Sequence, residues 1–389
     1  FGWADGIFLR YGGEYFENLN RQRFSGQFRL YCILECFFSL CVSLLGYYYA
    51  PNHEKSIVFV MVGISIVLLL PRTFLQYILQ GTNRIKEYVK LTIIDRLVYF
   101  GIVSVVLLGN MDSFILIIAG DLLGKLCALC YAVYQCKDIL FSKPEAFKDI
   151  FFETKENIRA GIKLMFANLA SLLMIGIVRI AIEYQWDIVT FGKISLTLSV
   201  SNLLMLFIRA VALIMFPALR RTDSKKLPSI YQFVRISIMI PLLGMLIFYY
   251  PAKVLLSIWL PQYADSFIYM ALLFPMCIFE SKMSLFVETF MKTLRFEKTL
   301  MEVNGITMIL SVFLTGIVVF VFKNLDMAIL LIVLLLAFRC ILAEVLLSKK
   351  MEISVYKDIL YEVALTVCFI SVSWYIGGIT GTVVYFVCY

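Results

Sequence analysis

Long apolar runs separated by short polar breaks make up nearly the whole chain. Eleven of these runs have about the 20 residues that a helix needs to cross roughly 30 Å of hydrocarbon. The predicted spans are 28–50, 57–80, 91–109, 113–136, 161–183, 190–216, 233–256, 265–290, 300–322, 326–348 and 359–377. A last apolar stretch, 382–389, is too short to cross, and residues 1–9 look like the end of an earlier span. The pattern predicts an all-α polytopic membrane protein.

Composition supports this prediction. Hydrophobic residues make up 61% of the 389 residues and charged residues only 16%, whereas a soluble domain is about half apolar and a quarter charged. The alternating pattern of an outer-membrane barrel is absent from the sequence. The net charge of +8 does not indicate a nucleic-acid partner, because no basic soluble domain is present to bind one.

The positive charges instead alternate between the loops. One set of loops carries 21 Lys and Arg residues, whereas the intervening set carries only Lys55 and Lys323. The basic set is 1–27, 81–90, 137–160, 217–232, 291–299 and 348–358. By the positive-inside rule these loops are cytoplasmic, and all the outer loops are short.

The longest cytoplasmic loop, 137–160, is amphipathic and is predicted to lie on the membrane surface as an interfacial helix. It separates two predicted helical bundles, 1–136 and 161–348, and residues 349–389 supply additional C-terminal helices.

The two bundles are predicted to be repeats. Segments 74–90 and 286–302 both run from a span into a basic turn, and matching Arg84 with Arg295 gives an offset of 211 residues. This offset carries the spans from 57 to 136 closely onto those from 265 to 348, and both copies run in the same direction. It also predicts two helices before the spans found here, the second ending near Asp5. The first bundle would therefore lack its first helix and most of its second.

The opening segment carries a motif that runs from Ala4-Asp5-Gly6 to Arg10-Tyr11-Gly12-Gly13, at the end of a span and before a basic loop. With the topology, this motif resembles bacterial polysaccharide flippases, which export O-antigen and capsule repeat units. They belong to the multidrug/oligosaccharidyl-lipid/polysaccharide exporter superfamily. The resemblance implies two six-helix bundles around a central cavity, followed by two further helices.

The resemblance also implies a function. An undecaprenyl-pyrophosphate-linked oligosaccharide would be flipped from the cytoplasmic to the outer leaflet of the bacterial inner membrane by alternating access, for surface polysaccharide synthesis. A polysaccharide polymerase and glycosyltransferases would be partners, beside membrane lipids. An ion-coupled multidrug or cation antiporter of the same superfamily is the alternative, and a membrane polysaccharide polymerase is a more distant one.

Lys and Arg residues inside the spans are the candidate substrate ligands, because each costs about 2.5–3.5 kcal/mol at mid-bilayer and needs a reason to be there. The deepest are Arg72, Lys125, Arg209, Lys282 and Arg339. Guanidinium groups pair bidentately with phosphate oxygens, so these residues are predicted to line a cavity for the pyrophosphate.

Other charges in the spans have simpler interpretations. Lys125 has Asp121 four residues before it and could equally be a neutralised pair. Asp95 and Arg235 are assigned to cytoplasmic helix starts, and Lys253 to an outer end where its stem can reach headgroups.

Asp121 and Glu35 are the candidate ion-coupling acids. No catalytic residue, metal ligand set or cofactor motif is identified, and the single histidine, His53, lies in a short outer loop, so the chain is predicted not to be an enzyme.

Overall fold

The computed structural model describes residues 2–50, 52–109 and 113–389, apart from the side chains of Leu204, Phe207, Arg209, Asp265 and Ile379. The chain divides into two compact units, Phe1–Ile162 and Lys163–Tyr389. Both units are helical, and no strand occurs in the described ranges.

The first unit begins with a short helix and continues with four long ones. Its helices are α1 (Trp3–Tyr11), α2 (Arg21–Tyr49), α3 (His53–Gly81), α4 (Ile85–Leu108), α5 (Phe114–Gln135), α6 (Lys137–Leu140) and the first part of α7 (Phe147–Gln185). The side chain of Asn20 caps α2 by accepting hydrogen bonds from the backbone N–H groups of Gln22 and Arg23, which satisfies donors that have no partner within the helix.

Several spans of the second unit change helical type along their length, including Glu297–Phe322, which ends in a π-helical segment over Gly316–Phe322. Its helices after α7 are α8 (Ile188–Arg220), α9 (Leu227–Gly244), α10 (Tyr249–Trp259), α11 (Met270–Leu273), α12 (Met276–Lys282), α13 (Glu288–Thr293), α14 (Glu297–Thr315), α15 (Leu325–Met351), α16 (Tyr356–Tyr375) and α17 (Gly378–Cys388). A 3₁₀ segment, Met245–Phe248, joins α9 to α10 after Pro241, and a π-helical turn, Met283–Val287, joins α12 to α13.

The fold-class prediction is confirmed. Ten helical segments of the described residues are long and apolar enough to cross a membrane, and α8 carries two shorter apolar stretches. Each of the eleven predicted spans corresponds to one of these segments or to α8. The largest difference is at α7, which begins at Phe147 instead of residue 161.

The predicted interfacial helix over 137–160 is wrong, because residues 147–160 form the first turns of α7. This part of α7 packs in the first unit. The Asn157 side chain donates to Gln27 at 2.8 Å, and the Arg10 guanidinium lies 2.7 Å from Glu153. Two polar residues of this segment, Glu153 and Asn157, therefore face α1 and α2, whereas Lys155 and Arg159 are exposed. The division between the compact units falls inside this helix, after Ile162.

The same turn geometry occurs in both units, which supports the predicted repeat. Asn83 and Arg295 both have left-handed backbones, with φ of 64° and 62°. The next residue donates in each case to a carbonyl five positions back, Arg84 to Leu79 and Phe296 to Met291, both at 2.8 Å. These turns are 212 residues apart instead of 211. The match of Arg84 with Arg295 in the sequence is therefore one residue out of register at this turn, where Asn83 corresponds to Arg295.

The final helix, α17, packs against α9. The hydroxyl of Tyr385 donates to the carbonyl of Leu243 at 2.9 Å, and that of Tyr389 donates to Ile240 at 2.8 Å. Both acceptors flank Pro241, where the helical hydrogen-bond ladder is interrupted. The apolar stretch 382–389 is thus part of the second unit's packing.

Candidate functional site

A polar cavity of about 240 Å³ lies in the second unit between α7, α8 and α12. Its polar lining side chains are Ser171, Arg179, Asn202 and Glu280, and its apolar lining includes Leu198 and Met276. All these positions lie within spans, where polar side chains are expensive and mark substrate or ion pathways. We therefore take this cavity as the candidate functional site.

Arg179 is the cation of the cavity. Its guanidinium donates to the hydroxyl of Ser195 on α8 at 2.9 Å and lies 5.3 Å from the ring centroid of Phe191. It forms no ion pair with any described residue, and its Nε is buried without a hydrogen-bond acceptor there. Glu183, one turn later on α7, is exposed and does not neutralise it. Arg179 therefore presents an unpaired guanidinium with spare N–H donors to the cavity.

Sequence reasoning missed Arg179, although the signal was present as an arginine within an apolar span. Its distance from Gln185, at the end of α7, is six residues, or about 9 Å along the helix axis. At that depth the residue is not a simple helix-end charge.

Glu280 supplies the negative charge of the cavity and forms an ion pair with Arg339. Arg339, on α15, pairs with Glu280 at 3.2 Å, and its Nε donates to the Asn304 side-chain oxygen at 2.9 Å. Asn304 in turn donates to the carbonyl of Ala167 on α7 at 2.8 Å. Arg339 is thus neutralised and positions a cavity residue, while it is not itself among the lining residues.

Lys282 lies in a separate, fully buried charge network. Its Nζ contacts Glu344 Oε2 at 2.5 Å and also Glu362. Arg235 bonds the same two carboxylates, with Nε 2.7 Å from Glu344 and Nη2 2.7 Å from Glu362. Two cations and two carboxylates from α9, α12, α15 and α16 balance one another. Lys282 therefore brings no uncompensated charge to a substrate.

Arg235 extends this network toward the end of α16. Its Nη1 lies 2.8 Å from Asp358, whose side chain is half exposed. The assignment of Arg235 to a helix start is therefore incomplete: the residue is only 3% exposed and its guanidinium bonds three carboxylates. Sequence position alone could not indicate these partners, because they lie on other helices more than 100 residues away.

In the first unit, Arg72 is paired as well. Its Nη1 lies 2.7 Å from Asp95 on α4, and both side chains are buried. Lys125 pairs with Asp121 one turn away, which is the alternative that the sequence left open. Glu35 lies near the middle of α2, partly exposed, and forms no ion pair with a described residue. The side chain of Arg209 is outside the described residues.

Comparison with known proteins bears on the fold. No protein-family model and no curated protein sequence matches the chain. Among solved structures, the MATE transporter ClbM in complex with Rb⁺ is similar, with a TM-score of 0.57 over 88% of this chain and 83% of that one.

The chain has the fold of a MATE transporter. The all-α polytopic fold expected from the sequence resemblance is therefore supported by this comparison. The sequence identity is 13%, and at that identity the likeness concerns the fold alone. Together with the ten apolar helices, the MATE fold makes this a multi-pass membrane protein.

Proposed function

We propose that this MATE-fold protein is a transporter that flips an undecaprenyl-pyrophosphate-linked oligosaccharide from the cytoplasmic to the outer leaflet of the bacterial inner membrane. The observation that carries the proposal is the Arg179 guanidinium, which lines a polar cavity within the spans without a carboxylate partner among the described residues. In this hypothesis the polysaccharide polymerase and the glycosyltransferases act after and before the flipping step.

The chemistry of the cavity fits a pyrophosphate head group. A guanidinium presents parallel N–H donors that match phosphate oxygens, and the pairing is stronger where water is excluded. Ser171 and Asn202 add a hydroxyl and an amide that can bond to a sugar. The volume of about 240 Å³ is below the range of about 300–1,000 Å³ typical of ligand pockets. The cavity therefore suits the head group and not a whole repeat unit.

The ion pairs in the spans limit which cations are available to bind an anionic substrate. The sequence suggested a cavity with many cations, but the described partners neutralise Arg72, Lys125, Lys282 and Arg339. Arg179, which has no ion-pair partner among the described residues, shares the cavity with Glu280, which is paired with Arg339, so the site attracts an anion only weakly. Weak net attraction favours release on the other side of the membrane, as a transport cycle requires.

An ion-coupled antiporter is the second candidate, and two carboxylates favour it. Glu35 lies within α2 without an ion pair among the described residues, and Glu280 lines the cavity, where it is paired with Arg339. The similar ClbM structure is a complex with Rb⁺. A membrane-embedded acid that is free to bind a cation or a proton is the minimum that coupling needs.

A flipping assay separates the two candidates. The protein is reconstituted in liposomes with undecaprenyl-pyrophosphate-linked N-acetylglucosamine as the probe, and the outward movement of the sugar is followed. Arg179→Gln should reduce flipping at least tenfold, and Arg179→Lys should retain part of it. Lys193→Gln, a lysine on α8 that does not line the cavity, is the matched control. Flipping by Arg179→Gln at the wild-type rate would refute the anion site.

The antiporter hypothesis predicts different results in transport assays. Ethidium efflux driven by a Na⁺ or proton gradient should then occur in the wild type and disappear in Glu280→Gln or Glu35→Gln, and the lipid-linked probe should not move. Flipping of the probe without any gradient, together with no ethidium efflux, would exclude that candidate.

A further inference from the structure

Gly176 lies in the interior of α7, and close packing between helices does not require a glycine there. A Cβ added at Gly176 would meet no atom within 4 Å apart from its chain neighbours and its own helix backbone. Glycine loses more conformational entropy on folding than any other residue, so a glycine inside a helix is destabilising relative to alanine. Gly176 lines the Arg179 cavity, and a side chain at this position would extend into space that the cavity leaves open.

Open space around a glycine does not by itself indicate a site. Gly305, inside α14, also has no atom within 4 Å of an added Cβ, and it is not among the residues that line this cavity. Gly176 differs from Gly305 because it lies between the polar groups of the cavity.

The polar groups on α7 lie at two depths. Arg179 is six residues before Gln185, where α7 ends, and Ser171 is 14 residues before Gln185. These spacings correspond to about 9 Å and about 21 Å along the helix axis. Gly176 is between them, about 14 Å from the same helix end.

Asn202, on α8, lies at the depth of Ser171. It is 14 residues after Ile188, where α8 begins, and only Trp186 and Asp187 separate α8 from α7. The end of α7 and the start of α8 are therefore close in depth, and Asn202 is also about 21 Å from this level. The cavity thus has a guanidinium at one depth, a hydroxyl and an amide at the other, and a residue without a side chain between them.

This order of groups matches a sugar joined to a pyrophosphate. A guanidinium pairs with phosphate oxygens, and a hydroxyl and an amide can bond to sugar hydroxyls. The Ser171 hydroxyl forms no hydrogen bond with a described residue, so it is available to a ligand. The basic loop before α7 is cytoplasmic by the positive-inside rule, which places Ser171 on the cytoplasmic side of Arg179. A carrier lipid in the cytoplasmic leaflet likewise has its sugar on the cytoplasmic side of its pyrophosphate.

We propose that Gly176 determines which head groups the cavity accepts. Its missing side chain leaves space for the first sugar of the repeat unit, between the pyrophosphate on Arg179 and the polar groups of Ser171 and Asn202. Glycine also allows the sugar ring to approach the helix backbone closely. This inference rests on the proposed function, and it extends the site from an anion-binding arginine to a subsite for one sugar.

The binding of two soluble analogues tests this assignment. Farnesyl pyrophosphate linked to N-acetylglucosamine carries the first sugar, whereas farnesyl pyrophosphate lacks it. Each analogue is titrated into the full chain in a neutral detergent, and its Kd is measured by isothermal titration calorimetry. Gly176→Val should weaken binding of the sugar-bearing analogue about tenfold or more, because the valine occupies the space of the ring. The same variant should bind farnesyl pyrophosphate as the wild type does.

Three further variants are the controls. Gly176→Ala adds only one methyl group and should give a smaller loss in the same direction. Gly305→Val changes a glycine with equally open surroundings outside the cavity lining, and it should leave both Kd values unchanged. Arg179→Gln should weaken the binding of both analogues alike, because it removes the phosphate ligand that they share. Thermal unfolding of each variant shows whether it is folded.

Two results would overturn the inference and leave the proposed function standing. In a protein whose wild type binds both analogues, Gly176→Val could weaken both equally, or it could weaken neither. The first result would assign the space beside Gly176 to the pyrophosphate, and the second would show that the space is not used. A wild type that binds neither analogue and does not flip the lipid-linked probe would refute the proposed function itself, and the inference with it.

Discussion

The Arg72 guanidinium and the Asp95 carboxylate form a buried ion pair, 2.7 Å apart, between α3 and α4. Gly124 of α5 lies against this pair, since a Cβ there would come within 3.0 Å of Asp95 Oδ1 and within 2.6 Å of its carbonyl oxygen. Three helices therefore meet at a charge pair that is neutral as a whole. Because the pair is neutral, the contribution of Arg72 to stability can be measured separately from any contribution to transport.

Replacing either partner alone should destabilise the first unit. Arg72→Leu or Asp95→Leu leaves one buried charge without its partner, at a cost of about 3–5 kcal/mol. The double variant Arg72→Met/Asp95→Leu removes both charges and should recover most of the stability, because an apolar pair of similar volume avoids the desolvation penalty. Thermal unfolding of the purified variants measures both effects.

Transport by this double variant decides whether Arg72 binds substrate. We expect the variant to flip the probe, because the guanidinium is committed to Asp95. A stable double variant that does not transport would restore Arg72 to the substrate site.

The sequence identified which intramembrane charges needed an explanation, but it could not provide their partners. Asp95 was assigned to a helix start because the apolar run begins near residue 91, whereas α4 begins at Ile85 and carries Asp95 into the span. The i,i+4 pair Asp121–Lys125 was foreseen as an alternative because both partners lie on one helix face. Pairs between helices depend on packing, which hydropathy does not encode.

The repeat was predictable in its topology and not in its details. The spans and the basic turns recur, but the π-helical turn after Lys282 shifts the register by one residue. One residue rotates a side chain by about 100° around a helix. A cation at an equivalent depth in the second unit consequently has different partners: Lys282 contacts Glu344 and Glu362, and Arg72 contacts Asp95.

The Lys282 network should stabilise the packing of α16 against α9, α12 and α15. Lys282→Met leaves Glu344 and Glu362 with Arg235 as their remaining buried cation, and we expect a loss of about 3–5 kcal/mol. Adding Glu362→Gln removes the excess negative charge and should recover part of that loss. Chemical unfolding of the single and double variants gives the coupling energy. A coupling energy near zero would mean that the network does not hold α16.

Arg339 should affect transport indirectly, by positioning Glu280 at the cavity. Arg339→Gln removes the ion pair that holds Glu280 at the cavity, whereas Asn304→Ala leaves the Arg339 Nε without its acceptor at a cost of about 1–3 kcal/mol. Both variants should slow transport, and Arg339→Lys should retain more of it because the charge is kept. Glu280→Ala combined with Arg339→Met should be stable and still defective. If this double variant transports normally, the two residues only stabilise the fold.

Two glycines on α7 allow a comparison within one helix. Gly161 lies against α1, where a Cβ would meet the carbonyl oxygen of Gly2 at 1.8 Å and the backbone nitrogen of Gly6 at 2.3 Å. Neither neighbour is a flexible side chain, so the helices would have to move apart. Gly176 lies on the same helix, and a Cβ added there would have no described atom of another residue within 4 Å beyond its own helix backbone.

Alanine at these two positions should therefore have opposite effects. Gly176→Ala should be neutral or stabilise the protein by up to about 1 kcal/mol, because alanine loses less backbone entropy than glycine in a helix. Gly161→Ala should lower the Tm clearly, since overpacking costs about 1–3 kcal/mol or more. Tryptophan fluorescence during heating measures both variants, and Trp3 on α1 reports the disturbed contact directly. Equal Tm values for the two variants would show that α1 does not pack closely on α7.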